Sequence, residues 1–316
     1  MADGRWPRRE HTVYSRPPNR IPLMANLDTP SDRFARFAPA LFVWLWSTGF
    51  IGAKYGLPYA SPLEFLFYRY LIVALILGLV LLLWRVPLPR RLSVWLHLGL
   101  IGLLMHGVYI AGVFIAIDLG TASGIASVIV GVQPLLTAAV AGPLLGERVS
   151  LRQYIGLALG FVGLTLTVSR SFSQGELPLS GLGCCVLALL AITLGTVHQK
   201  KHGAGVDVRV GAFIQFFVSA VAFGILLLFV EQRPVVWDPR FILVLAWLCL
   251  ALSLGAISVL WVLIQRGAAA RVASLFYLVP PVTAIEGYLL FGEALSGWQL
   301  LGIAVTAAGV ALANRP

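Results

Sequence analysis

The chain repeats itself at one fixed offset, and it stays apolar through both copies. Pro134, Thr137, Ala138, Leu144, Gly146 and Glu147 recur 146 residues later as Pro280, Thr283, Ala284, Leu290, Gly292 and Glu293. The register continues through Ser150, Gln153, Gly156, Ala158 and Gly163, matched by Ser296, Gln299, Gly302, Ala304 and Gly309, and reaches upstream to Gly49 and Lys54, matched by Gly195 and Lys200. A duplication of this length calls for two halves of similar fold. Two duplicated apolar halves are a recurring architecture of membrane-embedded proteins.

The setting follows from composition. The chain is 59% hydrophobic and 11% charged, with a mean hydropathy of +0.89, whereas soluble domains carry about 25% charged residues. Uncharged runs at 71–84, 211–230 and 241–264 approach the roughly 20 residues that a helix needs to cross a bilayer. They do not alternate apolar with polar as barrel strands would, so helices are expected. The net charge of +10 sits in short loops and an N-terminal segment, the pattern of cytoplasmic loops and not of a nucleic-acid surface. Cys184, Cys185 and Cys249 lie in apolar runs with neither metal nor disulfide spacing. There is no HExxH, no GxGxxG after a strand and no phosphate-binding GxxxxGK[ST]. No cofactor, metal site or nucleic-acid partner is expected, and the five histidines are scattered.

About ten spans are expected, near 38–56, 63–84, 93–117, 121–145, 150–169, 178–200, 208–230, 240–264, 271–292 and 296–313. Residues 1–36 read as a disordered cytoplasmic extension rich in Arg and Pro. With the N-terminus inside, the inner side collects Arg85, Arg90, Arg91, Arg148, Arg152, Lys200, Lys201, Arg209, Arg266 and Arg271. The outer side keeps Lys54, Arg170, Arg233 and Arg240, while Arg69 falls inside a span. Both termini are therefore expected in the cytoplasm. Five spans per half is an odd number, so residues 37–170 and 171–316 would enter the membrane from opposite sides as inverted repeats. The predicted fold is an all-α integral membrane protein of about ten helices.

The stretches Leu45-Trp46-Ser47-Thr48-Gly49-Phe50-Ile51-Gly52-Ala53-Lys54, Leu144-Leu145-Gly146-Glu147-Arg148-Val149-Ser150 and Pro280-Pro281…Leu290-Phe291-Gly292-Glu293 resemble the EamA-type carriers of the drug/metabolite transporter superfamily. The resemblance covers roughly residues 38–313. It implies an inner-membrane secondary transporter that exports or exchanges a small metabolite, amino acid or drug, as a monomer or homodimer, and not an enzyme. A membrane-embedded lipid-handling protein or enzyme on a carrier-like scaffold is the alternative. One departure stands out: the stretch around Thr283–Tyr288 is usually wholly apolar in relatives and here holds Glu286.

Candidate substrate-binding residues are the polar and aromatic groups deep in the spans. Polar groups at that depth must face protein or water, because lipid cannot satisfy them. Trp46 and Thr48 lie in the middle of the first span. His106 and Tyr109 share a helical face, Gln133 precedes Pro134, and Tyr277 precedes the Pro280-Pro281 break. Interhelical hydrogen bonding is the competing reading for all of them. Glu286 and Arg69 are candidates for a cavity charge or a proton-coupling group; Glu286 could instead pair with Arg69 or reach the interface. Lys54 and Lys200 are expected to snorkel to opposite interfaces. The Gly-Glu turns are expected to end one helix and start the next, with Ser150 and Ser296 as caps.

Overall fold

The computed structural model describes residues 32–313, apart from 146–149, 174–176, 204, 231–232, 294 and most of 257–274. It is all helical, with no strand among the described residues. The elements are α1 (Asp32–Gly56), α2 (Pro62–Leu83), α3 (Leu92–Asp118), α4 (Ser123–Gly131), α5 (Gln133–Leu145) and α6 (Leu151–Ser173), followed by α7 (Leu179–His202), α8 (Val208–Leu226), α9 (Pro239–Ala256), α10 (Val279–Phe291) and α11 (Gly297–Ala313). Ala38–Pro316 forms one compact unit; the start of α1 belongs to a separate one. α2, α3, α7, α8 and α9 are long and apolar enough to cross a membrane. The Gly146-Glu147 turn lies outside the described residues.

Helix starts follow local chemistry. The Ser61 hydroxyl accepts from the Glu64 backbone N–H at 3.5 Å and donates to its carboxylate at 3.0 Å, with Pro62 at the first helical position of α2. Asp207, 146 residues on, caps α8 through the Arg209 N–H at 2.9 Å. Ser296 caps α11 as expected: its hydroxyl accepts from the Gln299 N–H at 3.3 Å, and the Gln299 side chain accepts from its backbone N–H at 2.6 Å. Gly292 ends α10 at φ 67°, a left-handed conformation that glycine adopts without strain.

Helix boundaries keep the register of the sequence repeat. Pro62 and Val208 open α2 and α8, Leu151 and Gly297 open α6 and α11, and Gln133 and Val279 open α5 and α10. Each pair is 146 residues apart. Irregularities keep it too. The expected span 121–145 is broken between Gly131 and Gln133, just before Pro134, and a 3₁₀ turn at Phe276–Leu278 precedes Pro280. α3 widens into π-helix at Leu103–Val108, and α9 does so at Leu248–Ala256.

Packing in a bilayer is not driven by hiding apolar surface from lipid; close approach of small residues drives it instead. α6 and α11 lie against each other. A Cβ on Gly163 would come within 2.5 Å of the Gly302 carbonyl oxygen, and one on Gly309 within 2.6 Å of the Gly160 nitrogen. α2 packs on α8, α3 on α7 and α8, and α4 on α10. α2 is apolar over most of its length, with Arg69 on its buried side. Leu75, Leu79 and Leu82 point outward, while Phe65, Leu66, Tyr70 and Val73 are fully buried.

Candidate functional site

Residues of both π segments, Met105 and His106 from one and Leu252 and Ser253 from the other, line a cavity of about 110 Å³. Water needs about 10–15 Å³ by that measure, so the space suits several waters or a small solute. α1 and α7 come close enough to wall it because glycines face the π segments. A Cβ on Gly49 would stand 3.0 Å from Leu252, and one on its repeat mate Gly195 would stand 2.7 Å from Met105.

A π turn spoils the regular backbone ladder, and nearby hydroxyls take up carbonyls there. The Tyr70 hydroxyl donates to the His106 carbonyl at 2.5 Å, and the Ser253 hydroxyl donates to the Leu248 carbonyl at 2.9 Å. Ser253 in turn accepts from Arg69, whose Nε and Nη2 lie 3.2 and 3.0 Å from its oxygen. Arg69 is 3% exposed. Among the described residues no carboxylate lies within ion-pair distance of it. A guanidinium carries five N–H donors, so Ser253 alone leaves it under-satisfied.

The rest of the lining is aromatic and apolar. Trp46, Met105, His106, Tyr109, Phe114 and Phe216 line the cavity together with Arg69. The His106 ring stacks on Phe216 at 4.3 Å, and its Nδ1 is buried with no hydrogen-bond partner. The cavity thus offers one fixed cation and flat apolar walls, with the unpaired His106 Nδ1 buried beside it.

Of the residues singled out from the sequence, Trp46, Arg69, His106 and Tyr109 share this cavity. Thr48 does not line it; its hydroxyl accepts from the Trp247 indole at 3.0 Å and donates to the Leu45 carbonyl at 2.7 Å. Gln133 ties α5 to α7 by donating to Thr137 at 2.9 Å and Thr196 at 3.2 Å. The Tyr277 side chain lies outside the described residues. Glu286 does not pair with Arg69. Both its carboxylate oxygens are buried beside Ser47 without a hydrogen bond, and the Ser47 hydroxyl donates to the Trp44 carbonyl at 2.8 Å instead. Ser253 and Phe216 were missed. The available signal for the first was that Ser253 is one of two serines, with Ser258, in the apolar run 241–264; nothing marks one phenylalanine among many.

A second polar centre closes one end of the bundle. Lys54, expected to snorkel, has a partner that the sequence did not indicate: its ammonium pairs with Glu293. The other Glu293 contacts are the Ser123 backbone N–H at 3.2 Å and the Ser123 hydroxyl at 2.8 Å. Glu293 therefore caps α4, 170 residues away in the sequence, and not the helix that follows it. Burial would raise its pKa, but the hydrogen bonds from Lys54 and Ser123 prevail and hold it below the usual carboxylate range. Nearby at this end, Arg233 pairs with Asp118 at 2.8 Å, and the Val236 N–H donates to the Tyr59 carbonyl at 2.7 Å.

A helical bundle with five helices of membrane-spanning length and apolarity around a small cavity is the architecture of a multi-pass membrane protein. The profile of the EamA-like transporter family matches residues 37–169 and 179–315, and the chain belongs to that family. It is 28% identical over 283 residues to a "Probable amino-acid metabolite efflux pump" of Salmonella typhimurium, covering 87% of this chain and 92% of that protein. It is likewise 28% identical to the "Uncharacterized inner membrane transporter YedA" of Escherichia coli strain K12, over 85% and 87% of the two chains. A "WAT1-related protein At3g02690, chloroplastic" of Arabidopsis thaliana is also 28% identical, with 86% of this chain and 67% of that one covered. The fold is similar to that of a crystal structure with a TM-score of 0.61 and 20% identity, over 88% of this chain and 95% of that chain. Family membership makes the protein a transporter and not an enzyme.

Proposed function

We propose that the protein exports a small carboxylate-bearing metabolite of amino-acid type across the inner membrane by alternating access. The observation that carries this reading is Arg69: a guanidinium buried in an apolar cavity with no carboxylate partner among the described residues. Leaving such a charge uncompensated is costly, and a bidentate substrate carboxylate would satisfy it. Trp46, Phe216 and Tyr109 would hold an apolar side chain, and the His106 Nδ1 would take a further polar contact. Names of relatives such as the Salmonella typhimurium protein support both the substrate class and the outward direction.

The proposed architecture is ten spans in two inverted five-helix halves, residues 37–170 and 171–316, behind an extension at 1–36, with both termini cytoplasmic. The recurrence of caps, π segments and helix boundaries at the same offset supports it. So does the meeting of Lys54, Tyr59, Asp118, Ser123, Arg233 and Glu293 at one end, since the charge bias assigns all of them to the outer side. In this reading Lys54, Glu293 and Ser123 shut the outer mouth, and they part when the carrier opens outward. Glu286 is the proposed coupling-proton site.

The test is a thermal-shift assay of the purified protein in detergent with neutral amino acids and with their amides. The free acids are expected to stabilise the native state by mass action, the amides not to do so, and Arg69→Gln to erase the difference. Equal stabilisation by acids and amides would overturn the assignment of Arg69. Stabilisation by phospholipid alone would favour the lipid-handling reading.

A further inference from the structure

Three of the five histidines converge at the end of the bundle where α3 starts and α7 stops. His97 stands on α3, and His198 and His202 stand one turn apart on α7. His97 Nδ1 and His198 Nε2 are 3.3 Å apart, and one ring nitrogen from each residue fits within a span of 4.8 Å. Zinc–nitrogen bonds of about 2.0–2.1 Å in a tetrahedron set ligand atoms about 3.4 Å apart, so the first pair already has the spacing of two ligands. His202 Nδ1 lies 3.3 Å from the His198 carbonyl oxygen, which only accepts. That nitrogen therefore carries the proton, and Nε2 keeps its lone pair. Orientation of one ring nitrogen by a carbonyl is how proteins prepare a histidine to bind metal.

The packing bears on this too. The His97 and His202 rings stack at 4.1 Å, and the His198 and His202 rings lie 4.2 Å apart. No carboxylate belongs to this group, while Lys200 and Lys201 flank it on α7. The His97 and His202 rings lie nearly parallel, so ligation needs them to rotate toward a common point, which the 4.8 Å spacing of one nitrogen from each residue brings within reach. The feature is also not inherited from the duplication. Positions 146 residues away hold Leu243, Gly52 and Gly56, none of which can ligate.

We infer that His97, His198 and His202 form a site for one divalent first-row transition ion, such as zinc or nickel, that cross-links α3 to α7. Imidazole nitrogen suits these ions and not magnesium or calcium. Three protein ligands leave a fourth position for water. His97 is nine residues before His106, about 14 Å along α3, so an ion here braces the helix that lines the cavity.

The test uses full-length protein without a histidine tag, stripped with chelator, in thermal-shift titrations with ZnCl₂, NiCl₂, MgCl₂ and CaCl₂. Zinc and nickel are expected to raise Tm at one ion per chain, and magnesium and calcium to leave it unchanged. Cobalt(II) should develop the visible bands of low-coordinate nitrogen ligation. His198→Gln and His202→Gln should each weaken zinc binding by at least about tenfold, the scale seen even for residues that only orient metal ligands. Unchanged zinc binding in either variant overturns the site. If the variants fail to fold, wild-type protein still decides it: no zinc shift, or no cobalt spectrum, overturns it, including in favour of a simple His97–His198 hydrogen bond.

Discussion

At the scale of single residues, the molecule turns on two cations that the sequence places in or beside apolar spans. Arg69 is buried against Ser253, and Lys54 is paired with Glu293. Arg69→Lys keeps the charge but loses the planar fork that grips a carboxylate. It is expected to weaken amino-acid binding about tenfold, or about 1.4 kcal/mol, with native thermal stability otherwise retained; equilibrium binding checks this. The Glu293 contribution has a defined pH window. Its pKa is depressed in the folded protein, so its stabilisation is complete above the ordinary Glu value of about 4.3 and is lost as pH falls through the lower folded value. Thermal unfolding from pH 7 down to pH 3 should lose more stability for wild type than for Glu293→Gln, and parallel curves would count against the latch. Depth in the spans was enough to nominate Trp46, Arg69, His106 and Tyr109 from the sequence, because lipid leaves buried polar groups so few alternatives. The partner of Lys54 was not legible: it lies 239 residues away, and local spacing cannot see a contact made by tertiary packing. The histidine cluster was missed for the same reason, although His198 and His202 stand at helical i, i+4 spacing.

At the scale of elements, the glycines of α6 and α11 and the two π segments do most to set the geometry. The obstacle to a side chain at Gly163 is backbone, the Gly302 oxygen and the Thr306 nitrogen, so the helices must separate to admit one. Gly163→Val is expected to cost about 1–3 kcal/mol, read as a fall in Tm. Gly183→Ala on α7 is the control. A Cβ there meets nothing within 4 Å, and replacing glycine in a helix should leave Tm unchanged or raise it. The break at Pro280-Pro281 was legible in the sequence, and a 3₁₀ turn stands just before it at Phe276–Leu278; the break near Val132, inside the expected span 121–145, and the pairing of α6 with α11 were not. The π segments had no such herald, since one extra residue in a helical turn leaves composition and periodicity almost unaltered. They had to be seen in the backbone, and they account for the cavity sitting where it does.

At the scale of the whole molecule, the proposed account is a carrier whose halves are inverted copies around one central cation, with the outer mouth shut by Lys54, Glu293 and Ser123. Glu286→Gln is expected to leave exchange intact but to flatten the pH dependence of gradient-driven export; retention of the full wild-type pH profile would remove the proposed proton role. The most direct test of the central claim is exchange across a membrane. Proteoliposomes loaded with unlabelled neutral amino acids should accumulate radiolabelled amino acids from outside through the wild-type protein and fail to do so through folded Arg69→Gln. Exchange by Arg69→Gln at the wild-type rate, or no exchange of any neutral amino acid by the wild type, would contradict it.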